Sequence, residues 1–259
     1  MKKYIILLVL FCSAFVYAQT NNTDENDLLS HLKRMNFWKF EADYKVYPHM
    51  QDSLEFESEL FGRMFYDYIF VHPETMNNGF KGLMNEGLMI SDSDDKLLRI
   101  YSWDTQLGGT MRFYNNIYQY RSGDKVYSKM IIDTSADGPD PGGWYSFIYT
   151  LNTDSKKYYL AVSNSEYSTS EIGQSLQAYS IESNELNNTE KLFKTDDGMS
   201  NSLGIGFNLF LADNHPERPM KLFLFSDKKK ELSIPVITKK GAVTDKYIIY
   251  KFNGKYFAK

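Results

Sequence analysis

The spacing of apolar residues changes near residue 88. Before this point they recur at helical spacing, and after it they alternate with polar residues as in strands. A first short helix is predicted by apolar residues on one face: Leu28, Leu29, Leu32 and Met35. A second, longer helix is predicted by a stripe with steps of about four: Leu60, Phe61, Met64, Phe65, Tyr68 and Ile69. The pattern therefore predicts a helical segment over residues 27–87.

Local signals predict where these helices begin and end. Asp52, with Glu55 three residues later, predicts an N-cap for the second helix. Pro73 disfavours a helical residue before it, so this helix is expected to end near His72. A third helix is expected from Pro73 until Gly87, although glycines inside it weaken its helical propensity.

From residue 88 to 259 the pattern predicts an antiparallel β domain. Four similar polar turns, each between two apolar or aromatic arms, recur within MISDSDDKLLRIYSW, FIYTLNTDSKKYYLAV, AYSIESNELNNTEKLF and LFLFSDKKKELSIPV. Their spacing is near that of propeller blades. The expected fold class is therefore α+β, mainly β, with a propeller-like meander as the first choice and a β-sandwich as the alternative.

Two segments of this region allow finer predictions. In ELSIPVIT, Leu232, Ile234 and Val236 share one face, and Pro235 places the strand at an edge or at a break in the ladder. At the C-terminus, Asn253-Gly254 predicts a type I′ hairpin turn that pairs residues 249–252 with residues 255–258.

The N-terminus predicts export. Lys2 and Lys3 precede an apolar run that ends in Val16-Tyr17-Ala18, which is typical of a signal peptide over residues 1–18. Residues 19–26 are polar and are expected to form a flexible tail. Lipid attachment at Cys12 is the less favoured alternative, because Phe11 stands where a small side chain is needed. Cleavage after Ala18 would remove the only cysteine, so disulfides are not expected.

Charge narrows the choice of partners. The whole chain has a formal net charge of −4, and removal of Lys2 and Lys3 makes it −6. An acidic protein is a poor match for nucleic acid or an anionic membrane surface. No other apolar run approaches the length of a membrane span, so the expected partners are a glycan, a peptide or an envelope protein, in the periplasm or outside the cell.

One aromatic loop raises a choice between a ligand site and a turn. Trp103 could stack on a sugar ring while Asp104 accepts hydrogen bonds from its hydroxyls. The simpler interpretation places Trp103 in a strand covered on both faces, with Asp104 opening a turn that Gly108 and Gly109 close. The turn is the favoured interpretation.

A second loop combines acidic residues with glycine and proline. Asp133, Asp137 and Asp140 are candidate calcium ligands, because hard cations take several oxygen atoms. Their spacing does not fit an EF-hand, and an ordinary exposed connection has the same composition. Trp144 and Tyr145 follow directly and are further candidates for ligand contact, against the alternative that such rings form cross-strand pairs.

No catalytic or metal motif stands out elsewhere. The four histidines, His31, His49, His72 and His215, lack the spacing of a zinc site. A glycosidase would need two facing carboxylates; Glu166 and Glu171 are acids in a Ser-rich segment, but sequence does not show which acids face each other. No cofactor is expected, and the lack of a catalytic motif favours a protein without catalytic activity.

The stretches KLLRIYSWDTQLGGTMRFYNNIYQYRSGDKVYSK and KYIIYKFNGKYFAK resemble a group of uncharacterised secreted proteins of Bacteroidetes. The resemblance implies secretion from a bacterium and brings no activity. Three functions follow as hypotheses: a non-catalytic exported binding protein first, then a carboxylate-dependent hydrolase of glycan or envelope material, then a structural component of the envelope.

Overall fold

The structure is a computed structural model that describes residues 24–131, 141–212 and 214–259. Its α-helices are α1 (Glu25–Asn36), α2 (Met50–Val71) and α3 (Lys81–Asn85). A π-helical turn, Phe37–Glu41, follows α1, and short 3₁₀ helices cover Pro73–Asn77 and Leu209–Leu211.

Helix α1 begins two residues before the predicted helical segment. Asp24 caps it by accepting hydrogen bonds from the backbone N–H groups of Asn26 and Asp27, and the Asp27 carboxylate accepts a bond from the Asp24 N–H. This reciprocal capping box fixes residues that composition assigned to a polar tail. The buried face, Leu28, Leu32 and Met35, is the predicted one.

Helix α2 confirms the predicted stripe and corrects its start. Phe61, Phe65 and Ile69 are buried, and the helix ends at Val71 with His72 as its C-cap. The predicted N-cap is wrong: Asp52 lies inside the first turn, and His49 precedes the helix without a side-chain cap. An aspartate there still favours the helix, because it lies near the positive end of the helix dipole.

The predicted third helix is interrupted. Phe80, with φ of 47°, adopts a left-handed conformation between the 3₁₀ turn that starts at Pro73 and the short helix α3. Its side chain is only 1% exposed, so burial of the ring compensates for an unfavourable backbone.

The strands of the described ranges form three open sheets. A four-stranded sheet, in the order given, contains β1 (Met89–Asp92), β2 (Leu98–Asp104), β3 (Tyr114–Ser122) and β4 (Lys125–Ile131). A five-stranded sheet contains β11 (Ser202–Asn208), β7 (Glu171–Glu182), β6 (Lys157–Glu166) and β5 (Trp144–Asn152), with β8 (Glu185–Asn187) paired to β7. A six-stranded sheet contains β10 (Gly198–Ser200), β9 (Phe193–Thr195), β15 (Phe257–Ala258), β14 (Val243–Phe252), β13 (Glu231–Ile237) and β12 (Leu224–Ser226).

These pairings confirm the α+β, mainly antiparallel fold. Among the strand pairings of the described residues, only the short one between β15 and β9 is parallel. The propeller-like arrangement is not found among the described residues. The four similar turns are all hairpin turns, but they join β1–β2, β5–β6, β7–β8 and β12–β13, which are not repeats of one blade.

Shared cores stack the elements into four layers. The helices cover one face of the four-stranded sheet through Tyr101 and Trp103. The opposite face, with Leu98 and Ile100, packs on the five-stranded sheet, whose other face packs on the six-stranded sheet. Two sheets packed face to face are also the basis of the sandwich alternative. Strand β2 is thus covered on both faces, as its sequence predicted.

The two finer strand predictions hold in part. The ladder between β13 and β14 shifts between Pro235 and Ile237, which is the predicted break, and Val236 within the shift is exposed. The C-terminal hairpin exists, but Phe252 pairs with Phe257 rather than with residue 255. The Asn253 side chain accepts the N–H groups of residues 255 and 256, which stabilises a four-residue loop instead of a two-residue turn.

Candidate functional site

Trp103 is a core residue. Its side chain is fully buried, and its ring lies 5.4 Å from that of Phe61 and 5.8 Å from that of Phe65. Its indole N–H has no hydrogen-bond partner among the described residues. A ring enclosed between helix α2 and the first sheet has no free face, so it cannot act as a platform for a sugar.

Asp104 and the glycines after it form the predicted turn. Asp104 accepts a 2.7 Å hydrogen bond from the Gln106 N–H, and burial raises the pKa of its carboxyl group. The Gly108 carbonyl accepts a 2.6 Å hydrogen bond from the Lys39 ammonium. A Cβ atom at Gly108 would lie 2.1 Å from the Met111 carbonyl oxygen, so the tight path of this loop requires glycine.

Tyr145 lies between the first two sheets rather than at the surface. Its hydroxyl group is 2.9 Å from that of Tyr118 and 2.8 Å from that of Tyr179, and the last two are 3.3 Å apart. Burial raises the pKa of Tyr118 and Tyr179 well above the ordinary tyrosine value. The triangle of hydroxyl groups lets three phenols be buried with their polar atoms satisfied.

The calcium candidates Asp133, Asp137 and Asp140 lie outside the described residues. Within the described ranges no three His, Cys, Asp or Glu side chains are grouped to hold a metal ion. Each histidine instead pairs with a carboxylate near it: His31 with Glu57, His49 with Asp52, His72 with Glu74, and His215 with Glu217.

A cleft of about 410 Å³ opens where β5, β6, β7 and β11 meet the loop before β3. Its apolar wall consists of Trp144, Ile172, Phe207, Leu209, Pro219 and Met220. Its polar lining consists of Arg112, Asn164, Glu166, Ser168, Thr169 and Arg218, with Gly109 and Thr110 at one side. An apolar pocket with a few converging polar groups is the usual form of a small-ligand site.

Two buried side-chain amides, those of Gln174 and Asn164, hold the apolar wall of the cleft in place. Gln174 donates to the carbonyl of Met220 at 3.0 Å and to the Asn164 side chain at 2.8 Å, and it accepts the N–H of Leu222. Asn164 donates to the carbonyl of Trp144. Because both amides are saturated with bonds inside the protein, the apolar wall is fixed before any ligand arrives.

The polar side of the cleft is held by hydrogen bonds to Glu166, at the end of β6. The Glu166 carbonyl accepts the Arg112 N–H at 3.0 Å, and its carboxylate accepts the Tyr114 hydroxyl at 2.8 Å. Burial and the adjacent Glu166 raise the pKa of Tyr114, so its hydroxyl remains a donor at neutral pH. The Arg112 guanidinium contacts Asp104 only at 3.4 Å.

A second hollow, of about 520 Å³, is larger but has fewer charged residues in its lining. It lies between the end of α2 and β4, near Phe70, Tyr120 and Tyr127. Lys129 and Glu185 are its charged residues. The 410 Å³ cleft is the stronger candidate because two arginines and a glutamate line it beside an apolar wall.

Of the four predicted ligand contacts, only Trp144 lines this cleft. Glu166 also lines it, whereas Glu171 is exposed at the start of β7, opposite Asn208. Sequence reasoning missed Arg112 and Arg218. No local motif marks them, since they come together only through the packing of distant loops.

No protein-family model matches this chain, and no curated protein or solved structure is significantly similar to it. None of the helices in the described ranges combines the length and the apolar character needed to cross a bilayer.

Proposed function

We propose that this chain is an exported, non-catalytic binding protein that holds a small ligand in the 410 Å³ cleft. The ligand is expected to combine an apolar group with an anionic group, as in a carboxylate on an aromatic or aliphatic body. Export is supported by the N-terminal sequence, and secretion also agrees with the resemblance to Bacteroidetes proteins.

The observation that carries the proposal is the composition of the cleft lining. Two arginines, Arg112 and Arg218, and one glutamate, Glu166, line the cleft beside a wall of buried or half-buried apolar side chains. One guanidinium nitrogen of Arg218 donates to the backbone carbonyls of His215 and Glu217. Arginine recognises carboxylates and other planar anions with paired hydrogen bonds. The volume suits a ligand of modest size.

The carboxylate arrangement favours binding over hydrolysis. A carboxylate-dependent hydrolase needs two acids across the substrate. Among the described residues that line the cleft, Glu166 is the one acid, and it already accepts the Tyr114 hydroxyl. Asp104 is near but does not line the cleft, and its carboxylate contacts the Arg112 guanidinium at 3.4 Å.

The test is calorimetric titration with matched ligand pairs, such as N-acetylphenylalanine and its neutral amide, within a panel of acidic and neutral glycans and short peptides. The proposal expects the acidic member of a pair to bind at least tenfold more tightly. Arg218→Ala should weaken that binding about tenfold, because one charge-assisted contact contributes roughly 1.5 kcal/mol.

Arg63→Ala is the matched control, since Arg63 is exposed on α2 and does not line the cleft. It should leave affinity unchanged. Equal binding of acidic and neutral partners, or turnover of a glycan that Glu166→Gln abolishes, would overturn the proposal.

A further inference from the structure

Strand β11 has one free edge. It pairs with β7 on one side and ends the five-stranded sheet on the other. The Ala178 N–H donates to the Asn201 carbonyl at 3.1 Å. Hydrogen-bonded pairs alternate along an antiparallel ladder, so residues 203, 205 and 207 direct their backbone groups to β7. Residues 202, 204, 206 and 208 direct theirs outward.

The two ends of this edge are occupied by the chain itself. The Asn208 N–H donates to the Gly241 carbonyl at 2.8 Å, and the Ser202 N–H donates to the Ser200 hydroxyl at 3.2 Å. Between them, Gly204 and Gly206 are exposed, and their backbone groups have no partner among the described residues. The contact from Gly241 shows that another backbone segment can approach this edge at hydrogen-bonding distance.

A concavity lies on each side of these glycines. One, of about 240 Å³, is bordered by Tyr167 and Ser175 on the face of the five-stranded sheet opposite Leu203, and is called the outer concavity. The other, of about 300 Å³, is bordered by Ile205, Ile234 and Val236 at the mouth between the two sheets. A Cβ atom added at Gly204 or Gly206 would meet nothing within 4 Å.

We propose that the β11 edge binds an extended peptide as an additional antiparallel strand. Gly204 and Gly206 supply two N–H donors and two carbonyl acceptors, spaced about 6.8 Å apart as a strand requires. Peptide side chains opposite the glycines enter the outer concavity, and the side chains between them enter the apolar mouth. The peptide therefore carries aliphatic residues at alternate positions.

A foreign peptide suits this edge better than a second copy of the chain. In a symmetric pairing of two β11 edges, glycines would face glycines, and the outer concavity would stay empty. Antiparallel pairing beyond Gly206 would also meet the Asn208–Gly241 contact. A peptide with side chains at every position fills both concavities and ends before Gly241.

The test uses fluorescence anisotropy with a labelled peptide. This peptide has seven residues of alternating threonine and valine between two terminal lysines. A peptide of identical composition with its valines in one block is the control for pattern. We expect the alternating peptide to bind at least tenfold more tightly. The alternating peptide is also made in two versions, each with every second backbone nitrogen methylated. The version whose methylated nitrogens face Gly204 and Gly206 should not bind, whereas the other version should still bind.

Gly204→Pro removes an outward N–H while leaving the β7 ladder intact, because proline is tolerated where the N–H faces away from the sheet. It should reduce affinity at least tenfold. Gly204→Ala keeps the N–H and should change affinity less than threefold. Hydrogen exchange at residues 203 and 205 checks that the Pro variant retains its sheet, and Gly206→Pro serves as a second variant.

The proposal is overturned if the alternating peptide does not bind at about 1 mM. It is also overturned if a folded Pro variant binds as well as the wild type, or if the edge instead supports a dimer that Gly204→Pro dissociates. It does not rest on the function of the cleft, since Arg218→Ala should leave peptide binding unchanged.

Discussion

Replacement of Phe65 by alanine tests the packing of the helices on the first sheet. Phe65 is fully buried, and its ring contacts four others at centroid distances of 5.4–5.8 Å: Phe61, Phe80, Tyr101 and Trp103. A buried Phe→Ala change costs about 3–5 kcal/mol. Because Phe65 has three edge-on ring pairs, each worth roughly 0.5–1.5 kcal/mol, we expect a loss at the upper end of this range, about 4–5 kcal/mol.

Such a loss is comparable with the whole stability of a domain, about 5–15 kcal/mol. A milder variant, Phe65→Leu, should cost roughly 1.5 kcal/mol, so it retains enough stability for its unfolding to be measured. Urea unfolding followed by tryptophan fluorescence gives both values by linear extrapolation. The control is Phe56→Ala on the same helix, which should change stability by less than about 0.5 kcal/mol because Phe56 is 61% exposed. Equal effects at Phe65 and Phe56 would refute the layered core.

Two further predictions concern the loop and the ion pairs. Gly108→Ala should destabilise the protein by roughly 1–3 kcal/mol, because the new methyl group overlaps the Met111 carbonyl. The control, Gly109→Ala, should not destabilise it, because the space around Gly109 is open. Thermal unfolding compares the two variants. Asp92→Asn should cost about 3 kcal/mol at pH 7, because it leaves the nearly buried Arg99 guanidinium without its carboxylate. Burial alone would raise the pKa of Asp92, but bonds from Arg99 lower it below 3.8, so this stability is present above about pH 4 and is lost as pH falls through the lowered pKa. The urea midpoints of the wild type and Asp92→Asn should therefore converge as the pH falls through this lowered pKa, and a difference that stays constant with pH would contradict the assignment.

The helical segment was largely predictable because its signals are local. The stripe through Phe61, Phe65 and Ile69 identified the buried face of α2, and Pro73 identified its end. The interruption at Phe80 was not predictable, since the left-handed backbone there is held by contacts with Phe65 and Tyr101, which are distant in sequence.

The arrangement of the sheets depends on pairings that no local pattern specifies. Hairpin turns were visible in the sequence, but not which sheet each hairpin joins. Turn chemistry also misled at the C-terminus, where Asn253 bonds to two following N–H groups and lengthens the loop.

The cleft was even less visible than the sheets. Its lining spans residues 109 to 220, and Arg112 and Arg218 have no distinguishing neighbours in the sequence. Trp144 was identified as an aromatic candidate, but so were Trp103 and Tyr145, which are buried in cores. Ring content alone does not distinguish a ligand contact from a packing contact.

The most direct test of the central claim is amide chemical-shift mapping with the tightest acidic ligand from the panel. We predict that the largest shifts fall on Trp144, Ile172 and Met220, and that Arg218→Ala reduces them. Shifts concentrated instead around Tyr120 and Tyr127, in the larger hollow beside β4, would contradict the assignment of the binding site.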